Sequence, residues 1–180
     1  HRFETRLAAA GPVRDGALEG DLVLEGGGDP ELDTDRLARL VEALEAAGVR
    51  RVAGEFLVDG SALPRVAEID QGQPIDVAYN PAVSGLNLNF NRVFLRWGRQ
   101  AGPEGLAKGE RLDPAVGHVR VQSEARRRPL FRHARAEDGE VWSLARALLS
   151  GEGARWLPVR RPALYAGDVF RRLARTRGIE

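Results

Sequence analysis

The stretch Gly20–Leu32, GDLVLEGGGDPEL, constrains the fold more than any other. Leu22, Val23 and Leu24 form a short apolar strand, three glycines make a tight turn, and Asp29-Pro30 leads out of it. Leu37, Leu40, Val41 and Leu44 then recur at helical spacing and define one apolar face over Asp33–Ala47. Asp33 or Thr34 can accept from the free N–H groups at the start of that helix, and Gly48 suits its end. Val49–Val58 supplies a second strand, closed by Asp59-Gly60. Strand, helix and strand in this order predict a βαβ unit whose strands are parallel neighbours with a right-handed crossover.

Around this unit the pattern is less regular. His1–Ala10 alternates weakly, Gly11-Pro12 breaks it, Asp15-Gly16 reads as a turn, and Leu18–Leu24 returns as a strand. Ser61–Pro81 reads as a long loop, a length that in a compact domain points to function or mobility. Gly85–Trp97 alternates Leu86, Leu88 and Phe90 with Asn87, Asn89 and Asn91, which predicts a strand with one wet, amide-rich side. Gln100–Gly109 reads as a connector and Val116–Ser123 as a strand. Phe131–Val141 reads as a strand or hairpin about Asp138-Gly139, and Trp142–Leu149 as a helix ended by Gly151-Glu152-Gly153. Pro162 suits the first turn of a final helix, Ala163–Arg177, with arginines near its C-terminus and Gly178 beyond.

Composition removes several classes of function. The net charge is +1, so no global field gathers nucleic acid or an anionic membrane. Arg126-Arg127-Arg128 is isolated and reads as a solvated loop. Without cysteine there are no disulfides, thiolate metal sites or cysteine nucleophiles. The three histidines, His1, His118 and His133, are scattered without metal-ligand spacing, and no metal or other cofactor is expected. No apolar run approaches the length of a membrane helix. No initiator Met or signal sequence precedes His1, which reads as a mature form or an internal piece. The glycine turn invites a dinucleotide reading. The fingerprint begun at Gly26 meets Glu31 where its third glycine belongs, however, and Asp29 adds a second negative charge.

Serine chemistry of one kind carries an explicit sequence signature. Penicillin-interacting serine enzymes use S-x-x-K, S-x-N and K-T-G: a nucleophile beside a proton-accepting lysine, a relay pair, and a lysine strand that holds the substrate carboxylate. The five serines, Ser61, Ser84, Ser123, Ser143 and Ser150, are followed three residues later by Pro64, Asn87, Arg126, Arg146 and Gly153. Arginine does not replace lysine as a base. The sole lysine, Lys108, is followed by Gly109-Glu110. All three motifs are absent.

Phe3-Glu4-Thr5, Gly16-x-Leu18-x-Gly20-Asp21-Leu22 and Gly26-Gly27-Gly28-Asp29-Pro30-x-Leu32 resemble the D-alanyl-D-alanine carboxypeptidase/endopeptidase family of the penicillin-binding protein 4 type. So do Ala47-Gly48-Val49, Gly54-x-Phe56-x-Val58-Asp59, the run Asn80–Asn91, Trp156–Val159, Pro162 and Phe170–Gly178. The resemblance is strong over 1–97 and 155–180. It implies a mixed α+β (α/β) fold, a βαβ-containing insertion flanked by short pieces of a serine transpeptidase-like domain. Residues 1–19 would be an edge piece, 20–158 the inserted accessory region, of one or two subdomains, and 159–180 the return helix. It further implies a parent enzyme outside the cytoplasmic membrane, in the periplasm, that hydrolyses peptidoglycan stem peptides through an acyl-serine and is acylated by β-lactams. These 180 residues would be inactive alone. Asp70 or Asp76, in the segment Glu68–Tyr79, would meet the stem peptide. The rival expectation is a stand-alone, non-catalytic α/β binding or scaffold domain, and a weaker third is a nucleotide-binding enzyme.

Overall fold

A computed structural model of the chain describes residues 3–100 and 102–180. In chain order its elements are β1 (Thr5–Ala9), β2 (Val13–Arg14), β3 (Ala17–Leu18), β4 (Leu22–Gly26), α1 (Thr34–Ala46), β5 (Arg51–Val52) and β6 (Phe56–Asp59). They continue as β7 (Arg92–Trp97), β8 (Glu104–Leu106), β9 (Val119–Glu124), β10 (Phe131–Ala136), β11 (Gly139–Ala145), β12 (Gly153–Pro158) and α2 (Pro162–Thr176). The result is a mixed α+β fold with four small sheets.

The first half follows its apolar pattern. β4 runs antiparallel to β1 and parallel to β6, with Leu24 opposite Leu7 on one side and Val58 on the other. β4, α1 and β6 therefore form the expected βαβ unit. Leu22 and Leu24 alternate inward and are fully buried, each contributing roughly 1.5–3 kcal/mol by leaving water. Asp33 is the N-cap of α1, its side chain accepting from the Arg36 N–H at 2.7 Å, and Leu37, Val41 and Leu44 face the core. α2 packs against β6 and α1, with Phe170 stacked on Phe56 at 5.1 Å. Residues on both sides of position 20 thus share one sheet.

Glycine is required at one crossing. A Cβ on Gly26 would lie 2.4 Å from the Leu86 Cα, and one on Gly85 2.7 Å from the carbonyl oxygens of both Gly26 and Gly60. Three chain segments meet there backbone to backbone. The Gly27 and Gly28 N–H groups are already donated, to Glu4 and Gly85 carbonyls, so the glycine turn presents no cradle for a phosphate.

Several sequence expectations are corrected. Leu18–Leu24 and Val49–Val58 are each two strands, because Gly20 and Gly54 bring their backbones together and shift the chain from the small sheet β2-β3-β5 to the sheet β1-β4-β6. The Gln100–Gly109 connector contains β8, and the return strand β12 was not foreseen. Trp142–Leu149 is not a helix. It is the end of β11 followed by a 3-10 turn, Arg146–Ser150, because Trp142 and Leu144 point into the core between two neighbouring strands. The hairpin about Asp138-Gly139 forms as expected, with β10 antiparallel to β11. Part of the expected first strand, His1-Arg2, lies outside the described residues.

One apolar core runs from α1 and α2 into the β7–β12 half, and buried polar groups add specific ties across the same seam. Glu140 on β11 is fully buried, and its carboxylate accepts from the Arg161 N–H at 2.7 Å and the Arg160 N–H at 2.9 Å, at the entrance to α2. His133 lies 3.0 Å and His118 3.8 Å from the same carboxylate. His118 and His133, 15 residues apart in the sequence, are therefore brought to one carboxylate, while His1 lies outside the described residues. On α2, Asp168 accepts from the Gly117 and His118 N–H groups at 2.7 and 3.1 Å and pairs with Arg172. Burial opposes the Asp168 charge, but those donors outweigh it and hold its carboxyl below the ordinary range. Burial also pushes the His118 imidazole below its ordinary value, against the pull of Glu140.

Candidate functional site

The most constrained local geometry lies between Ser84 and Arg92. Asn89, Phe90 and Asn91 all have left-handed backbones, with φ of 52°, 56° and 54°. Such conformations cost of order 1–2 kcal/mol for each non-glycine residue and persist only where the surroundings over-determine them. Here asparagine amides do so. Asn89 Oδ1 accepts from the Thr34 N–H at 3.0 Å, which satisfies a free donor at the start of α1, while its Nδ2 donates to Thr34 Oγ1 at 2.9 Å. Asn91 Nδ2 donates to the Ala82 carbonyl and to Asn87 Oδ1, and its Oδ1 accepts from the Leu88 N–H. The Tyr165 phenol, pushed up by burial and so held protonated, donates to the Arg92 carbonyl at 3.1 Å.

This overturns the wet amide face expected of Gly85–Trp97. Asn89 and Asn91 are buried, whereas Phe90 is 65% exposed. Alternation alone did not reveal that the asparagines serve as backbone caps; their tolerance of the left-handed region was the available signal.

Phe90 forms one rim of a groove of about 500 Å³. Ile69, Tyr79, Pro81 and Val83 supply apolar walls and Arg92 the charge. The Arg92 guanidinium lies 5.1 Å from the Phe90 ring and 5.0 Å from Trp156. Its Nε is buried without a hydrogen-bond partner, and no carboxylate pairs with it among the described residues.

The opposite wall belongs to the 61–81 loop, which is irregular as expected but pinned. Arg160 donates from its guanidinium to the carbonyls of Ile75 and Asn80 at 2.6 and 2.9 Å. Asp76 forms an ion pair with Arg155 at 2.8 Å. Asp70 is exposed and closes a turn, its Oδ1 accepting from the Gly72 N–H at 2.8 Å. Neither aspartate lines the groove beside Phe90. A different carboxylate, Asp59 at the end of β6, lines a cleft of about 510 Å³ with Ser61 and Leu63. Hydrogen bonds from the Ser61 side chain and backbone hold its carboxyl below the ordinary range. In the sequence Asp59 reads as the close of a strand and as part of the resemblance block Gly54–Asp59, not as a site residue.

The Ser61 hydroxyl is engaged by the Asp59 carboxylate. Ser84 Oγ donates to the Leu86 carbonyl, Ser143 Oγ accepts from Arg126 and Ser150 Oγ donates to Ala147. Lys108 is occupied by Asp113 at 3.0 Å. Arg126 is correspondingly not a solvated loop residue; its ion pair with Glu124 and bond to Ser143 tuck it against β11. No group of three or more metal-ligating side chains occurs among the described residues, and none of their helices is long and apolar enough to cross a membrane.

Comparison with known proteins places this geometry. The model of the D-Ala-D-Ala carboxypeptidase 3 (S13) family matches residues 1–180. A D-alanyl-D-alanine carboxypeptidase of Actinomadura sp. (strain R39) is 30% identical over 166 residues, covering 90% of this chain and 27% of that protein. The D-alanyl-D-alanine carboxypeptidase DacB of Haemophilus influenzae is 24% identical over 112 residues, which is 59% of this chain and 23% of its own length. The crystal structure of penicillin binding protein 4 from H. influenzae shares the fold, with a TM-score of 0.67, 21% identity, and coverage of 99% of this chain and 41% of that one. The chain therefore spans about a quarter of the length of the curated relatives it matches.

Proposed function

The chain belongs to the D-Ala-D-Ala carboxypeptidase 3 family, and from that premise we propose that it is the non-catalytic accessory portion of a serine-type peptidoglycan D,D-peptidase. The parent cleaves the terminal D-Ala-D-Ala bond or peptide cross-links through an acyl-serine, and β-lactams acylate the same serine. It works outside the cytoplasmic membrane, in the periplasm. Residues 20–158 are the accessory region, and 1–19 and 159–180 connect it to the transpeptidase-like domain.

One observation carries the non-catalytic part of this reading. The only lysine is held by Asp113, and none of the five serines is followed by the lysine that an acylation site needs. The accessory role toward stem peptides rests on carboxylates. Asp70 and Asp76 belong to the loop expected to meet the peptide, but Asp76 is neutralised by Arg155 and Asp70 serves a turn. Asp59, which lines a cleft and has no cationic partner among the described residues, is the better acceptor for a peptide ammonium group.

The test is release of D-alanine from a pentapeptide ending in D-Ala-D-Ala. The complete protein is expected to release it and residues 1–180 are not. Turnover by the 180-residue chain would overturn the assignment, as would a complete gene without S-x-x-K before His1 and S-x-N and K-T-G after Glu180.

A further inference from the structure

The groove beside Phe90 shares Ile69 and Tyr79 with the loop expected to meet the stem peptide, but neither Asp70 nor Asp76 lines it. Its construction is costly: three successive left-handed residues are fixed by buried amides, and Asn87, Asn89 and Asn91 direct their side-chain groups at neighbouring backbone and side chains. What this expenditure delivers to the surface is one aromatic ring. Tyr79, 67% exposed and steadied by a hydrogen bond from its hydroxyl to Gln73, stands on the same groove.

A row of alternating rings and cations extends from Phe90. Arg92 lies between Phe90 and Trp156, Trp156 meets Phe94 edge-on at 5.0 Å, and Lys108 lies 5.5 Å from the Phe94 ring. Arg92, Phe94 and Trp156 lie on the more open face of the β12-β7-β8 sheet, with Val93 and Leu95 buried on the other. Among the described residues that line the groove, Arg92 is the only charged one. A cationic ligand is disfavoured. A ligand with flat apolar faces, an oxygen-rich rim and a neutral or negative charge fits.

The geometry points to a glycan strand of N-acetylated hexosamines, whose C–H faces stack on Phe90 and Tyr79 while Arg92 donates to an acetamido carbonyl or lactyl carboxylate oxygen. This rests on the peptidoglycan reading above, and it adds a second contact to the polymer, away from the Asp59 cleft. The strained turn then acts as a rigid mount, which lowers the ordering cost of presenting the ring. The Arg92 guanidinium, whose Nε has no hydrogen-bond partner among the described residues, gains a ligand acceptor in the complex.

The test is NMR of the uniformly ¹⁵N-labelled 180-residue chain titrated with tetra-N-acetylchitotetraose. The Trp156 indole N–H is expected to shift, while that of Trp142, bonded to the Pro158 carbonyl, does not. Phe90→Asn keeps a residue that tolerates the left-handed backbone and is expected to weaken binding at least about tenfold, with the melting temperature retained. Arg92→Gln is expected to weaken it as well. An unmoved Trp156 signal overturns the proposal, and so does a shift that survives in both variants. If a D-Ala-terminated pentapeptide moves Trp156 and the sugar does not, the groove is a peptide site and the glycan assignment fails. None of these readouts requires hydrolysis, so they stand or fall separately from the peptidase assignment.

Discussion

The two halves of the molecule are stabilised by different means. In the β1-β4-β6 sheet with α1 and α2, apolar periodicity does most of the work: Leu22, Leu24, Leu37, Val41 and Phe170 sit where their spacing places them. One apolar core continues into the β7–β12 half, and there buried polar residues add specific ties. Glu140 receives the backbone at the entrance to α2, Asn89 caps α1 from 55 residues away, and Arg160 pins the 61–81 loop. The first kind of contact is written locally in the sequence; the second joins residues that nothing in the sequence pairs.

Four perturbations sharpen this contrast, in descending size. Glu140→Ala strands the Arg160 and Arg161 N–H groups and uncouples His133, and is expected to destabilise the chain by about 3–5 kcal/mol, read as a lower urea midpoint. An effect below that of an ordinary surface substitution would break the claim that polar groups hold this seam. Gly85→Ala forces a Cβ against two backbone carbonyls and is expected to cost about 1–3 kcal/mol, since neither backbone can swing aside as a side chain would. Asp33→Ala removes the α1 cap, for about 1 kcal/mol by the same measurement.

The smallest effect is a pH dependence. His118 has a lowered pKa in the fold, so the unfolded chain takes up its proton first, and stability is expected to fall as pH drops below about 6.5. Asp168, also lowered, contributes stability that is present above the unfolded carboxylate pKa and lost as pH falls through its folded value. Both losses therefore come on acidification. His118→Asn is expected to flatten the upper part of the urea-midpoint profile and leave the carboxylate part; an unchanged profile would remove His118 from the account.

Legibility in the sequence follows the same division. The βαβ unit, the caps at Asp33 and Gly48, the long loop and the final helix follow from period, capping chemistry and turn residues. Trp142–Leu149 reads as a helix in the sequence because an apolar run buried between two strands resembles a short buried helix. The asparagine run reads as a wet face because alternation says which residues differ and not which are buried. Asp70 and Asp76 were visible as loop carboxylates, but the arginines that engage the loop, Arg155 and Arg160, lie some 80 residues on. Asp59 was passed over because the cleft it lines is assembled from β1, the glycine turn and the start of the loop.

Covalent labelling with a fluorescent penicillin tests the central claim most directly. The complete protein and the isolated 180-residue chain are treated side by side and resolved on a denaturing gel, with intact mass to count adducts. The account expects a labelled band and a single adduct for the complete protein and neither for the chain. A penicilloyl adduct on any of Ser61, Ser84, Ser123, Ser143 or Ser150 would contradict it.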